Sequence, residues 1–89
     1  MTERALQNKC IRKAKACGWL AYKFASPSNR GVPDVLFIYE GRVVFIEFKH
    51  PNGKGRLSAL QKHTINLMRN NGAQVYVVDS EDHFDAIIS

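Results

Sequence analysis

Two β-prone runs, VLFIY over 35–39 and RVVFIEF over 42–48, are separated only by Glu40-Gly41. Glycine tolerates the positive φ that a two-residue hairpin turn requires, so the pair reads as a tight antiparallel hairpin. With those two residues as the loop, Tyr39 faces Arg42 and opposed positions sum to 81. Asp34 then lies directly across from Glu47. Directly opposed residues have Cβ atoms roughly 4.5–5.5 Å apart, and like charges there destabilise a sheet.

The size of that repulsion matters. At about 5 Å two unit charges interact by roughly 1 kcal/mol in water and about 3 kcal/mol at a partly buried site. An ordinary cross-strand pair contributes only about 0.2–1 kcal/mol in the favourable direction. A sheet built for stability alone would avoid the arrangement. A hard divalent cation between the carboxylates reverses the sign, because Mg²⁺ and similar ions take oxygen ligands. Lys49 lies two residues beyond Glu47, on the same strand face. Two carboxylates and an ammonium converging on one point suit the cutting of a phosphodiester.

Charge distribution agrees with that chemistry. The net charge is +5, yet residues 1–70 carry all 13 Lys and Arg against four acids, a net +9, whereas residues 71–89 carry −4. Three of those four acids (Glu3, Asp34 and Glu47) are candidate metal-site residues. A positive body with its few carboxylates gathered at one place suits a phosphate polymer held by basic groups and cut at a metal; a solvated basic surface is the plainer alternative. The length, 89 residues, predicts one domain. No run approaches the roughly 20 apolar residues of a membrane span, and the N-terminus lacks a signal peptide's apolar core. The expectation is a soluble cytoplasmic or intracellular protein. Cys10 and Cys17, on one helix, would be about 10.5 Å apart along its axis, too far for a disulfide. They are expected to be buried or partly buried free thiols, and the three histidines lack zinc-ligand spacing.

In chain order, Thr2 can cap a helix from Glu3 to Cys17, with Leu6, Cys10, Ala14 and Cys17 as its inward stripe. Glu3 falls on that stripe, either as a favourable first-turn acid or aimed at the metal site. The basic residues on its other faces, Lys9 and Lys13 among them, either touch phosphates or solvate the helix. Gly18 ends the helix, and Trp19 to Phe24 alternates as a strand whose aromatics are expected in the core. Ser26 to Gly31 is loop by composition, and Ser28, Asn29 and Arg30 are candidate phosphate donors there. The strand 42–48 reads as central, since both its faces begin apolar.

His50 to Arg56 is a second loop, basic and glycine-rich, offering Lys54 and Arg56 to nucleic acid. Ser58 starts a helix, and Ser58-x-x-Gln61 matches a capping box. Leu60, Thr64, Leu67 and Met68 are its expected buried stripe, with Lys62 off it as a further candidate for nucleic acid, and Asn71-Gly72 closes it. Gln74 to Asp79 forms a last apolar strand. Ser80 caps a short helix that buries Phe84, Ile87 and Ile88. The helix between the third and fourth strands permits a parallel crossover, giving an α/β fold of order αβββαβα with a mixed four-stranded sheet flanked by helices.

Pro33-Asp34, a spacer of twelve residues and Glu47-Phe48-Lys49 resemble the signature of PD-(D/E)XK nucleases. With Arg30-Gly31-Val32 before them and Arg56-Leu57-Ser58 and Gln61 after, the pattern is similar to the VRR-NUC branch, from Glu3 to about Val78. The resemblance implies a metal-dependent DNA endonuclease. Asp34, Glu47 and the backbone carbonyl of Phe48 would hold Mg²⁺ or Mn²⁺, and Glu3 would join through water. Lys49 would orient the attacking water, and Gln61 would reach toward the site, a role that competes with its place in the capping box. It also implies branched or double-stranded DNA as partner and a homodimer resembling Holliday-junction resolvases. Flap or restriction-type nucleases and a catalytically inactive nucleic-acid-binding domain are the alternatives.

Overall fold

In a computed structural model that describes residues 1–24 and 31–89, the chain forms three helices and one four-stranded sheet. The elements are α1 (Glu3–Ala16), β1 (Leu20–Lys23), β2 (Val35–Tyr39), β3 (Arg42–Phe48), α2 (Ala59–Asn70), β4 (Gln74–Val78) and α3 (Glu81–Ile88). The strands lie in the order β1-β2-β3-β4. β1, β2 and β3 pair antiparallel, and β4 joins β3 in parallel through the α2 crossover. The sheet is therefore mixed and flanked by helices, with β3 central.

The hairpin turn sets the register. Glu40 and Gly41 both have positive φ, 47° and 83°, as a two-residue turn of the hairpin-favouring kind requires. Tyr39 pairs with Arg42 and Val35 with Ile46, so the expected register holds through the whole hairpin. Each helix begins at a hydroxyl that accepts from a backbone N–H: Thr2 from Ala5, Ser58 from Gln61 and Ser80 from His83.

The two faces of the sheet are unequally covered. Leu6, Cys10 and Ala14 of α1 and Phe84 and Ile87 of α3 pack on Val35, Phe37, Val44, Ile46, Phe48 and Val78. Phe37, Phe48 and Phe84 are fully buried there, each contributing about 1.5–3 kcal/mol. Lys9 and Lys13 of α1 reach acids of α3: Lys9 Nζ lies 2.7 Å from Glu81, and Lys13 Nζ 2.6 Å from Asp85 and 3.2 Å from Glu81. These two lysines are thus taken up within the fold. Arg42 donates to the Ile87 carbonyl (2.7 Å) and lies over the Trp19 ring, tying the start of β3 to the end of α3.

Among the described residues, the opposite face is covered by α2 alone, whose buried residue is Ile65. Three expectations are corrected here. The buried contact of α2 is Ile65 rather than Leu60 and Leu67, which stay 51% and 49% exposed. Gln61, Ile65 and Met68, spaced by four and three, form the sheet-facing line, which shares Met68 with the expected stripe but replaces Leu60 and Leu67. Tyr22 and Phe24 of the first strand region are likewise exposed rather than core; only Trp19 is buried. Alternation along β1 puts Leu20, Tyr22 and Phe24 on the face that α2 leaves bare. Cys10 is buried as expected, and burial pushes its thiol up to about 11; Cys17 is exposed, contrary to expectation. Among the described residues, no helix is long and apolar enough to cross a membrane.

Candidate active site

The site forms where β2 begins and β3 ends, under the first turn of α2. Extending the observed pairing one step beyond Val35 and Ile46 brings Asp34 opposite Glu47. The backbone there is fixed from two sides. Phe24 N–H donates to the Asp34 carbonyl (2.7 Å), and Lys49 N–H donates to the Val78 carbonyl (2.8 Å). The Asp34 carboxylate accepts from the Phe48 backbone N–H at 3.0 Å through Oδ2. That contact holds Asp34 against the strand that bears Glu47, a role the sequence reading did not include.

Glu47 is the one buried charged residue among those described, 2% exposed. Its Oε2 accepts from Gln61 Nε2 (3.2 Å) and lies 3.5 Å from Lys49 Nζ. Its Oε1 is buried with no hydrogen-bond partner. Burial first, and then the neighbouring Asp34 carboxylate, push the Glu47 pKa up to about 7, with Lys49 pulling the other way. Lys49 Nζ also donates to Gln61 Oε1 (3.1 Å), and the ammonium is largely enclosed, its side chain 14% exposed.

Gln61 performs both duties that the sequence set in competition. Its backbone N–H donates to Ser58 Oγ (3.1 Å), and its Oε1 accepts from the Ser58 N–H (2.9 Å), which completes the capping box. The same amide meets Lys49 with its oxygen and Glu47 with its nitrogen. Space constraints hold α2 in place. A Cβ on Gly31 would overlap Thr64 Oγ1 and approach the Leu60 carbonyl oxygen to 2.7 Å. A Cβ on Gly55 would lie 3.1 Å from the Lys49 Cβ. At Gly31 only glycine permits so close an approach to α2, and at Gly55 a side chain would crowd the lysine.

The donor set fits a hard cation. A buried carboxylate oxygen without a donor, beside a second carboxylate, calls for positive charge. No third His, Cys, Asp or Glu joins Asp34 and Glu47 among the described residues. Two carboxylates plus carbonyl oxygen and water match the habit of Mg²⁺, which binds through one or two carboxylates and keeps several waters.

The other candidate residues are less tightly gathered. Glu3 is exposed in the first turn of α1, the helix packed on the other face of the sheet from Glu47. Lys54, Arg56 and Lys62 are exposed around the loop and first turn that roof the site. Arg56 Nη1 donates to the carbonyls of Gly53 (3.1 Å) and Gly55 (3.0 Å), bracing that loop. Ser28, Asn29 and Arg30 lie outside the described residues.

Comparison with known proteins gives the chain's family and fold. Residues 1–82 match the VRR-NUC domain. The protein named "Putative nuclease p44" of Acyrthosiphon pisum secondary endosymbiont phage 1 is 36% identical over 81 residues, covering 90% of this chain and 85% of its own. A solved VRR_NUC domain structure superimposes with a TM-score of 0.86 at 27% identity, covering 99% of this chain and 96% of that one.

Proposed function

Because the chain belongs to the VRR-NUC family, we propose that it is a metal-dependent endonuclease that hydrolyses DNA phosphodiesters. The observation that carries this reading is the orphaned, buried Oε1 of Glu47 beside Asp34. Asp34, Glu47 and the carbonyl of Phe48 would hold one or two Mg²⁺ or Mn²⁺ ions, and Glu3 would join through water. A cation held there stabilises charge on the phosphate and lowers the pKa of a bound water. Lys49, its Nζ already oriented by Gln61, stands where an ammonium can position the attacking water or neutralise the developing charge. Gln61 keeps the Glu47 carboxylate turned toward the site by donating to Oε2. Lys54, Arg56, Lys62 and the 28–30 segment hold the DNA backbone.

The substrate is branched or double-stranded DNA, cut by a homodimer in the manner of a Holliday-junction resolvase. The bare sheet face supports the dimer. It presents Leu20, Tyr22, Leu36, Ile38, Val43 and Phe45, an apolar surface without charge that does not suit phosphate. Leu20, Tyr22 and Val43 are 52%, 55% and 45% exposed. A second copy offers an equally apolar surface, and two-fold symmetry gives two sites for two strands.

Supercoiled plasmid and a four-way junction, each incubated with Mg²⁺, Mn²⁺ or EDTA, test the reading. Cutting is expected with metal and not with EDTA or Lys49→Ala; wild-type inactivity across all substrates and metals refutes it. Sizing of the wild type and Tyr22→Lys tests the dimer. A monomeric wild type would remove it.

A further inference from the structure

Among the described residues, Gln61 alone serves at once in a helix cap and in the site. An amide has an acceptor edge and a donor edge, and which one faces Glu47 decides whether the contact attracts or repels. Two donors, the Ser58 N–H (2.9 Å) and Lys49 Nζ (3.1 Å), converge on Oε1. The NH2 edge is thereby left for Glu47 Oε2 at 3.2 Å. The reversed amide would set NH2 against a backbone N–H and an ammonium, and its oxygen against a carboxylate.

We propose that Ser58 is a positioning residue of the active site: its cap fixes the amide orientation through which Gln61 aligns Glu47 and Lys49. The hydroxyl of Ser58 does so by accepting from Gln61 N–H at 3.1 Å. That bond places the Gln61 backbone in the first turn, from which its side chain can fold back onto the Ser58 N–H. The start of α2 and the catalytic geometry are thus one structure. Ser80 provides a natural contrast. It caps α3 by the same bond, from His83 N–H at 3.2 Å, and among the described residues no hydrogen bond runs from α3 to the Glu47 or Lys49 side chain.

The inference rests on the nuclease reading, and its test keeps the two separable. Ser58→Ala, Ser58→Gly, Ser58→Thr and Ser80→Ala are compared by cleavage kinetics with Mg²⁺ and by the ¹⁵N-correlated side-chain amide signals of Gln61. Glycine is included because it is nearly as good a helix start as serine and keeps the fold should alanine fail. Ser58→Ala and Ser58→Gly should lower kcat about tenfold with KM nearly unchanged, and Ser58→Thr should recover it to within about twofold. Ser80→Ala should leave kcat unchanged while lowering stability as a lost cap does. In Ser58→Ala and Ser58→Gly the Gln61 amide signals should move to the range of exposed glutamines. Equal kcat in the Ser58 and Ser80 variants, or unmoved Gln61 signals, overturns the proposal. An inactive wild type defeats the nuclease reading, and the Gln61 signals then decide the positioning role by themselves.

Discussion

Replacing Glu47 by glutamine should make the metal-free protein more stable while abolishing its activity. Glu47 is almost fully enclosed, and burial together with Asp34 raises its pKa from 4.5 to about 7. A native pKa above the unfolded one means that the folded chain retains a proton which the unfolded chain has released. Stability therefore falls as pH rises from about 4.5 to 7 and is flat above that window. At about 1.4 kcal/mol per pH unit, the loss amounts to about 3 kcal/mol. Glutamine cannot ionise. Its oxygen can accept from Gln61 and Lys49 in place of Oε2, and its NH2 can meet Asp34 where Oε1 now has no partner. Urea and thermal unfolding in EDTA provide the assay. Near pH 4 the two proteins should be equally stable. At pH 8 the variant should lead by about 3 kcal/mol, or about 10–20 °C in Tm. Adding Mg²⁺ should then stabilise the parent and leave Glu47→Gln unmoved. Parallel stability–pH curves for parent and variant between pH 4.5 and 7 would show that Glu47 does not carry this cost, and the case for a cation there would lose its physical basis.

Asp34 has a partner in the Phe48 N–H, so its substitutions should diverge. Asp34→Asn keeps an acceptor and removes a charge, and should raise the metal-free Tm; Asp34→Ala strands the N–H and should lower stability by about 1–3 kcal/mol, both without activity. Glu40→Asn should stabilise by about 0.5–1 kcal/mol in urea titrations, since Glu40 sits at a φ of 47° that asparagine tolerates better. Gly31→Ala should cost about 1–3 kcal/mol by overpacking and should lower kcat, because relief comes only by lifting α2 off the site. A Gly31→Ala variant with parental melting and cleavage would show that α2 is not seated this way.

The hairpin and its register were legible because a two-residue turn leaves a single pairing, and the paired carboxylates follow from it. The Gln61 conflict was visible but not soluble from sequence, since only geometry shows one amide using two edges. The stripe of α2 was misphased because Leu60, Ile65, Leu67 and Met68 offer more than one apolar line, and the sheet's partial cover decides which is used. The same cover exposes Tyr22 and Phe24, whose alternation gives a face but not what lies over it. Lys9 and Lys13 read as free positive charge because their acids, Glu81 and Asp85, come from the far end of the chain. Long-range pairing of that kind leaves no local spacing to find.

The positive-φ turn at Glu40 and Gly41 also bears on how such a chain can vary in length. Side chains along a strand alternate between faces, so one residue inserted within β3 would swing Glu47 into the apolar layer beneath α1 and α3. Lengthening the turn itself leaves the alternation on either side untouched. Indels between the two carboxylates should therefore be tolerated at the tip alone, and a scan of single-residue insertions from 35 to 48 should map that parity as a window of activity centred on residues 40 and 41.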